Sequence, residues 1–567
     1  MKKLLSIILI LVLVLSGCIK TSQEKSFEKF LDELFIYFVG DDPMDINFTL
    51  YEPDNFKIKE GEVTKLTSID NYDDLERYKN KLLKYDKLTK KESILTKDIL
   101  IDYLDRLLAF KPFPYYGTML ESYIGYQAQL PIILAEYRFD DMGDILNYFE
   151  YLRVTKDSFA ELIAYEKEKA ERNMGLPDRL LDKTIASCEE ILNSEENFLT
   201  PVFNEKIDSL EFLTEFQRKE LKETNEELIN NDFLGAYEYL REELEKLKGN
   251  AKHTGALANF PNGRQYYEVL FQRVTGSDMT VLEAKAFIEK IVTEKMMDYI
   301  KNSIDYTRVY ETTIFMKDLK RDTLIPFFIK KMKKDFPIIE FEVNYEIKEI
   351  HPSMQQYSAP AMYLVSPIDD NRDEVIYVNP LHLGKIGNYM YQTIAHEGFP
   401  GHLYQNVYLK NSDLPEIRKI LYYPGYTEGW ATYVENYVVK YASTLGGVKV
   451  FEFFNSIDYL IMGLCDIGIN YQGWDLETLK EFLAGYYVLT DEQIEDIYYD
   501  LVEVPTNYLQ YYFSYYYLLD IKERFEETMG REYSDYVFHK IYLDTGPAPF
   551  SIIEAQYEAY KNEIFQE

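Results

Sequence analysis

The sequence predicts a mainly α protein, large and two-lobed, with one small β-sheet. Three observations point there. Apolar residues recur at three- and four-residue spacing over most of the first 250 positions, the period drops to two only between about 340 and 379, and 567 residues exceed what one hydrophobic core usually supports. Hydrophobic residues at 46% and charged ones at 28% place the chain among globular proteins. A net charge of −35 excludes nucleic acid as a partner, which needs a basic surface, and repels anionic lipid.

Residues 1–17 read as a signal peptide. Lys2 and Lys3 precede Leu4 to Leu15, which is apolar except for Ser6 and too short to span a bilayer. Leu15-Ser16-Gly17-Cys18 resembles a lipobox, with cleavage before Cys18 and lipid on its sulfur. An ordinary secretory signal with an incidental cysteine, or an uncleaved anchor, is the alternative. No later stretch is long and apolar enough to cross a membrane, so the expected product is a soluble body outside the cytoplasmic membrane, held by a lipid on Cys18. Residues 18–27 read as a polar tether.

Residues 28–250 form the expected N-terminal helical lobe. Phe30, Leu31, Leu34, Phe35 and Phe38 show its helical spacing, and runs such as Glu166-Lys167-Glu168-Lys169 read as solvated helix faces. Cys188 and Cys465 are too far apart to make a disulfide framework and read as buried thiols. Turn residues from Gly249 to Gly263 mark the boundary to a second lobe over 251–567. There, 340–347, 361–365 and 374–379 read as three strands. An edge strand at 374–379 would receive an extended peptide by strand addition.

The chemistry starts at His396-Glu397-Gly398-Phe399-Pro400-Gly401-His402, which holds two of only six histidines. Imidazoles and a carboxylate make a catalytic zinc site with one position open, and a glutamate after the first histidine is where a zinc peptidase keeps its general base. Residues 386–407 read as one helix carrying this motif. Its spacing, however, conflicts with one shared metal. On a regular helix positions i and i+6 point roughly 120° apart, about 9 Å along the axis. Pro400 cannot bond the His396 carbonyl, and Gly398 and Gly401 permit unusual backbone, so a widened or broken turn would absorb the two extra residues. Equally, Pro-Gly could end one helix with no metal at all.

A second stretch, Thr427-Glu428-Gly429-Trp430-Ala431-Thr432-Tyr433-Val434-Glu435, follows a Pro424-Gly425 turn. Thr427 can cap a helix starting near Glu428, and Gly429 lets two helices approach closely. Glu428 and Glu435 share a helical face, so one could bind the metal while the other steadies a ligand histidine.

These residues resemble a known family. His396 to Gln405 looks like the HEGxPGHxxQ signature, and Glu428 to Glu435 like the EGWAxYxE stretch, of the domain-of-unknown-function 885 family of prokaryotic secreted proteins. Similar pieces at 261–267, 358–363 and 538–546 extend the resemblance over nearly the whole mature chain. It implies a fold akin to the glutamate-zincins, with a deep active-site cleft beside the sheet. His396, His402 and Glu428 become the zinc ligands and Glu397 the base; Glu435 either steadies a ligand histidine or is an exposed acid of an amphipathic helix. Two departures stand out. Leu403 replaces a second histidine common in the family, and the PGQAxxY segment falls on Pro505 to Tyr511 without its Gly-Gln pair. Tyr511 is the candidate donor to the oxyanion. His253, His351 and His382 read as structural, and His539 as structural more readily than substrate-binding.

The reading that results is a zinc-dependent peptidase acting on short peptides outside the cytoplasmic membrane. Its competitors are a surface lipoprotein that binds metal or peptide in the same cleft without cleavage, and a purely structural envelope protein that binds no metal.

Overall fold

A computed structural model describes residues 23–66, 72–194, 197–312, 321–352, 355, 359–383, 387–442 and 445–566. The expected signal peptide and Cys18 lie outside them. The last residues of the expected tether are already helical, in a helix over 23–39. Phe27 is buried there, and the Glu24 carboxylate accepts from the backbone N–H of Thr89 (2.6 Å) and Lys90 (3.1 Å) and from Ser93 Oγ (2.8 Å). It satisfies amide groups at the entry to the helix Lys91–Leu108, whose own flanking residue supplies no side-chain cap.

Helices make up most of the described chain, including a 30-residue helix, Met142–Glu171, opened by a reciprocal cap between Asp141 and Asp144. Among the described residues two hydrophobic cores form. One gathers residues between Leu120 and Leu247 with Ile350; the other joins Phe27 to Tyr116, Met174 and Leu180 with residues from Ala256 to Tyr557. The first helices of the chain therefore pack with the elements that carry the histidine motif. Cys188 and Cys465 are buried free thiols.

The run at 166–169 is not a solvated face throughout. Glu166 and Lys169 are both about 1% exposed and pair at 3.2 Å, with Lys169 Nζ also donating to the Gly117 carbonyl. Nearby, burial and then the charge of Glu503 push the Glu121 carboxyl up to about 8. A lysine three residues after a glutamate looks the same in sequence whether the pair faces water or a second layer of helix.

The sheet has three strands, β1 (Tyr345–Glu349), β2 (Ala361–Leu364) and β3 (Glu374–Val378), in the order β1-β3-β2. β1 begins five residues later than the alternating pattern at 340 suggests. β3 lies in the middle, parallel to β1 and antiparallel to β2, with Ile376 and Val378 buried. Strand addition at 374–379 is thereby ruled out. Both sides of β3 are already hydrogen-bonded, and β2 is the edge nearer the histidine motif.

A buried charge network fixes this sheet to the helix His402–Lys410. Lys410 Nζ pairs with Glu374 of β3 and donates to Ser366 Oγ (2.6 Å) and the Asp370 carbonyl (2.5 Å). The Tyr363 hydroxyl of β2 donates to the other Glu374 oxygen at 2.5 Å and accepts from Asn406 Nδ2 at 2.9 Å. Removing one member of such a pair strands the other charge. Lys410→Met is expected to cost about 3–5 kcal/mol, read as a lowered melting temperature, and Lys410→Met with Glu374→Leu should recover part of it. A Lys410→Met protein as stable as wild type would show that the pair does not hold the sheet.

His539 also belongs to the core. It is fully buried, stacks on Phe336 with centroids 3.9 Å apart, donates from Nδ1 to the Asp335 carbonyl (2.6 Å) and accepts at Nε2 from the Tyr433 hydroxyl (2.8 Å). Burial pushes its pKa down to about 3. An unfolded histidine titrates near about 6.5, so between these values the unfolded chain binds the extra proton. Stability should therefore be full above the upper value and fall as pH drops towards the lower one. Urea midpoints across that window check this, and His539→Gln should flatten the slope.

Candidate metal centre

The motif that reads as one helix is two. Gly387–Glu397 ends with His396 and Glu397 in its last turn, and a new helix, His402–Lys410, begins at the second histidine. Gly398 N–H still bonds the Ile394 carbonyl at 3.0 Å; the chain then leaves the helix through a cis Phe399–Pro400 peptide. Trp430 Nε1 donates to the Pro400 carbonyl at 3.0 Å and ties the break to the helix Pro424–Tyr437. Gly401 fits because nothing larger can. A β-carbon there would lie 1.8 Å from the His396 carbonyl oxygen and 2.4 Å from that of Ala395. The break turns the two rings towards each other, with centroids 4.7 Å apart and planes at 86°.

The helix Pro424–Tyr437 supplies the carboxylates. It starts at Pro424, four residues before the start expected from Thr427, because proline's fixed φ suits the first helical position and it has no N–H to satisfy. Thr427 is thus inside the helix, its N–H bonded to the Tyr423 carbonyl. Gly429 does permit a close approach, but to Ser514: a β-carbon there would stand 2.9 Å from Ser514 Cβ. Glu428 Oε2 lies 3.7 Å from His396 Nε2 and 3.5 Å from His402 Nε2. One ligand atom from each of the three residues falls within 4.8 Å of the others, and among the described residues no other such set of three His, Cys, Asp or Glu side chains occurs. Glu435, one heptad on, accepts from His396 Nδ1 at 2.9 Å, which leaves Nε2 directed at Glu428.

Three carboxylates thus surround His396. Burial disfavours its charged form, but the hydrogen bonds to Glu428 and Glu435 and the charge of Glu397 overcome this and raise its pKa well above the ordinary imidazole value. Burial likewise opposes ionisation of Glu428, yet His402 and His396 hold its carboxyl far below the usual range. The arrangement is one that stabilises positive charge between the imidazoles and Glu428.

Glu397 lines the same cavity as the three residues of the cluster and is held from the sheet. Its Oε2 accepts from the Tyr363 backbone N–H of edge strand β2 at 2.8 Å. Tyr511 sits in a five-residue π-helical turn, Leu509–Phe513. With His396 and Glu397 it lines two adjoining cavities of about 630 and 520 Å³. Burial first, then the charges of Glu428, Glu397 and Glu435, raise the Tyr511 pKa and keep it a neutral phenol. The other histidines are elsewhere. His253 Nε2 bonds the Asn173 carbonyl, and His539 is in the core. Two groups at the site are not legible as functional from residue type. Tyr363 lies in the 358–363 piece but contributes through its backbone, and Gln392, 7% exposed on the wall of the larger cavity, looks in sequence like any helix residue.

Solved structures share this architecture. One, from Colwellia psychrerythraea and described as a candidate lipoprotein, superposes with a TM-score of 0.77 at 15% identity, covering 95% of this chain and 100% of its own. Another, from Shewanella oneidensis and described as a candidate lipoprotein of unknown function, gives 0.62 at 14% identity, covering 93% and 98%. At such identities the likeness concerns the fold. No curated protein matches the chain. The profile of the family described as bacterial protein of unknown function (DUF885) matches residues 60–556, and the chain belongs to that family.

Proposed function

We propose that the protein is a zinc-dependent peptidase of short peptides. The observation that carries this reading is the convergence of His396, His402 and Glu428 with Glu397 beside them. Four ligands at about 2.1 Å around a tetrahedral zinc are spaced about 3.4 Å apart. The 3.7 and 3.5 Å separations to Glu428 come close to that, and the donor set of two imidazoles and one carboxylate suits zinc. Bound there, zinc would supply a Lewis acid for the scissile carbonyl and acidify water.

The chain's own residues do the rest. Glu435 holds the Nδ1 proton of His396 and so aims Nε2 inward. Tyr363 N–H fixes one oxygen of Glu397, and that carboxylate takes a proton from the attacking water and returns it to the leaving amine. The Tyr511 hydroxyl, kept protonated, donates to the oxyanion of the tetrahedral intermediate. Lys2, Lys3, the apolar run to Leu15 and Cys18 support secretion and lipid anchoring outside the cytoplasmic membrane, in keeping with the descriptions of the two similar structures.

Purified protein should contain about one zinc per chain. Glu397→Gln should keep the zinc and lose turnover of a mixed peptide set by at least about a hundredfold. Glu435→Gln should weaken zinc binding about 10–100-fold in a chelator competition. Bound zinc with no peptide cleaved by wild type would instead favour a binding lipoprotein; only traces of metal would remove the metal site. Cys18→Ala should abolish incorporation of labelled palmitate, and unchanged labelling would sink the anchor.

A further inference from the structure

The larger of the two cavities has a chemistry of its own. Its described lining includes three carboxylates, Glu397, Glu435 and Asp458, and no lysine or arginine. Glu397 and Glu435 already serve Tyr363 N–H and His396, while Asp458 stands at the exposed rim and accepts from the Tyr487 hydroxyl at 2.5 Å. Beside Asp458, Tyr459 stacks face to face on Tyr512, centroids 4.5 Å apart and planes at 12°, and leans on Tyr508 at 5.8 Å. On the wall of the same cavity, Gln392 is 7% exposed and its Nε2 has no hydrogen-bond partner among the described residues. A buried amide donor without an acceptor is costly unless something fills the role. The smaller cavity differs in having Lys419 on its wall.

We propose that the larger cavity is the specificity pocket for a basic residue of the peptide substrate. The ammonium or guanidinium group lies against the rings of Tyr459 and Tyr512 and beside Asp458, where ring faces and carboxylate both attract a cation. The Gln392 amide donates to a main-chain carbonyl of the same peptide. At the Asp458 rim an acidic side chain meets a carboxylate with no lysine or arginine on the wall to balance it, and is rejected. The chain's net charge of −35 draws basic peptides to the surface, but only the pocket distinguishes where in the peptide the basic residue sits. The peptidase reading is needed only to call the bound peptide a substrate.

The test uses labelled alanine-based hexapeptides carrying lysine, leucine or glutamate at one position at a time. Binding to the full mature Glu397→Gln protein is followed by fluorescence anisotropy. At one position lysine should bind about tenfold tighter than leucine, with glutamate weakest. Asp458→Asn should remove most of that advantage and Tyr459→Leu part of it. Gln392→Leu should weaken lysine and leucine peptides alike, and Glu220→Gln, exposed on the helix Glu215–Leu228 and outside this lining, should change nothing. No positional preference for lysine overturns the pocket. So does a preference that survives both Asp458→Asn and Tyr459→Leu in folded protein; if the first variant fails to fold, the second decides. Cleavage of the unlabelled peptides by wild type is read separately by mass. Cleavage without lysine preference sinks the pocket alone, whereas lysine preference without cleavage upholds the pocket and sinks the peptidase.

Discussion

Everything at the candidate site depends on a four-residue interruption between two helices. Without it, His396 and His402 would face different sides of one cylinder. With it, the second helix restarts at His402 in a new direction and the rings stand 4.7 Å apart. The interruption is set by sterics more than by attraction. Gly401 lies so close to the His396 and Ala395 carbonyls that any side chain would collide with backbone, and a collision with backbone cannot be relieved by choosing another rotamer. Trp430, wholly buried, then fastens the interruption to the helix that bears both acids.

Charge imposes a second constraint. The site collects three carboxylates around two imidazoles in a partly buried place, where unbalanced charge is expensive. A proton on His396 supplies part of that balance, and the surrounding carboxylates raise its pKa accordingly. A metal cation bound between the same groups would meet the same need. Glu435 contributes in either state, since its bond to His396 Nδ1 fixes which ring nitrogen faces Glu428.

The sheet serves the site, small as it is. β2 reaches Glu397 through a backbone N–H, and the same residue, Tyr363, ties β2 through its hydroxyl to Glu374 and hence to Lys410. Lys410 ends the helix that His402 begins, so one network joins the second histidine's helix to the strand that orients Glu397. These connections run within the core that also includes the chain's earliest helices, Phe27 to Tyr116.

By itself the sequence determined the helical class, the presence of a small sheet and the place of a break at Pro400-Gly401, while the set of His396, His402 and Glu428 came with the family resemblance. The first three are local: they follow from periodicity and from proline's missing N–H. What it could not determine was which strand lies at the edge, since β2 and β3 are both short and largely apolar and their order depends on distant partners. Nor could it tell that Glu166 and Lys169 face inward, that Gly429 meets Ser514, or that a backbone N–H of Tyr363 holds Glu397. Only the tertiary structure decided these, because each depends on a group far along the chain whose approach leaves no trace in local pattern.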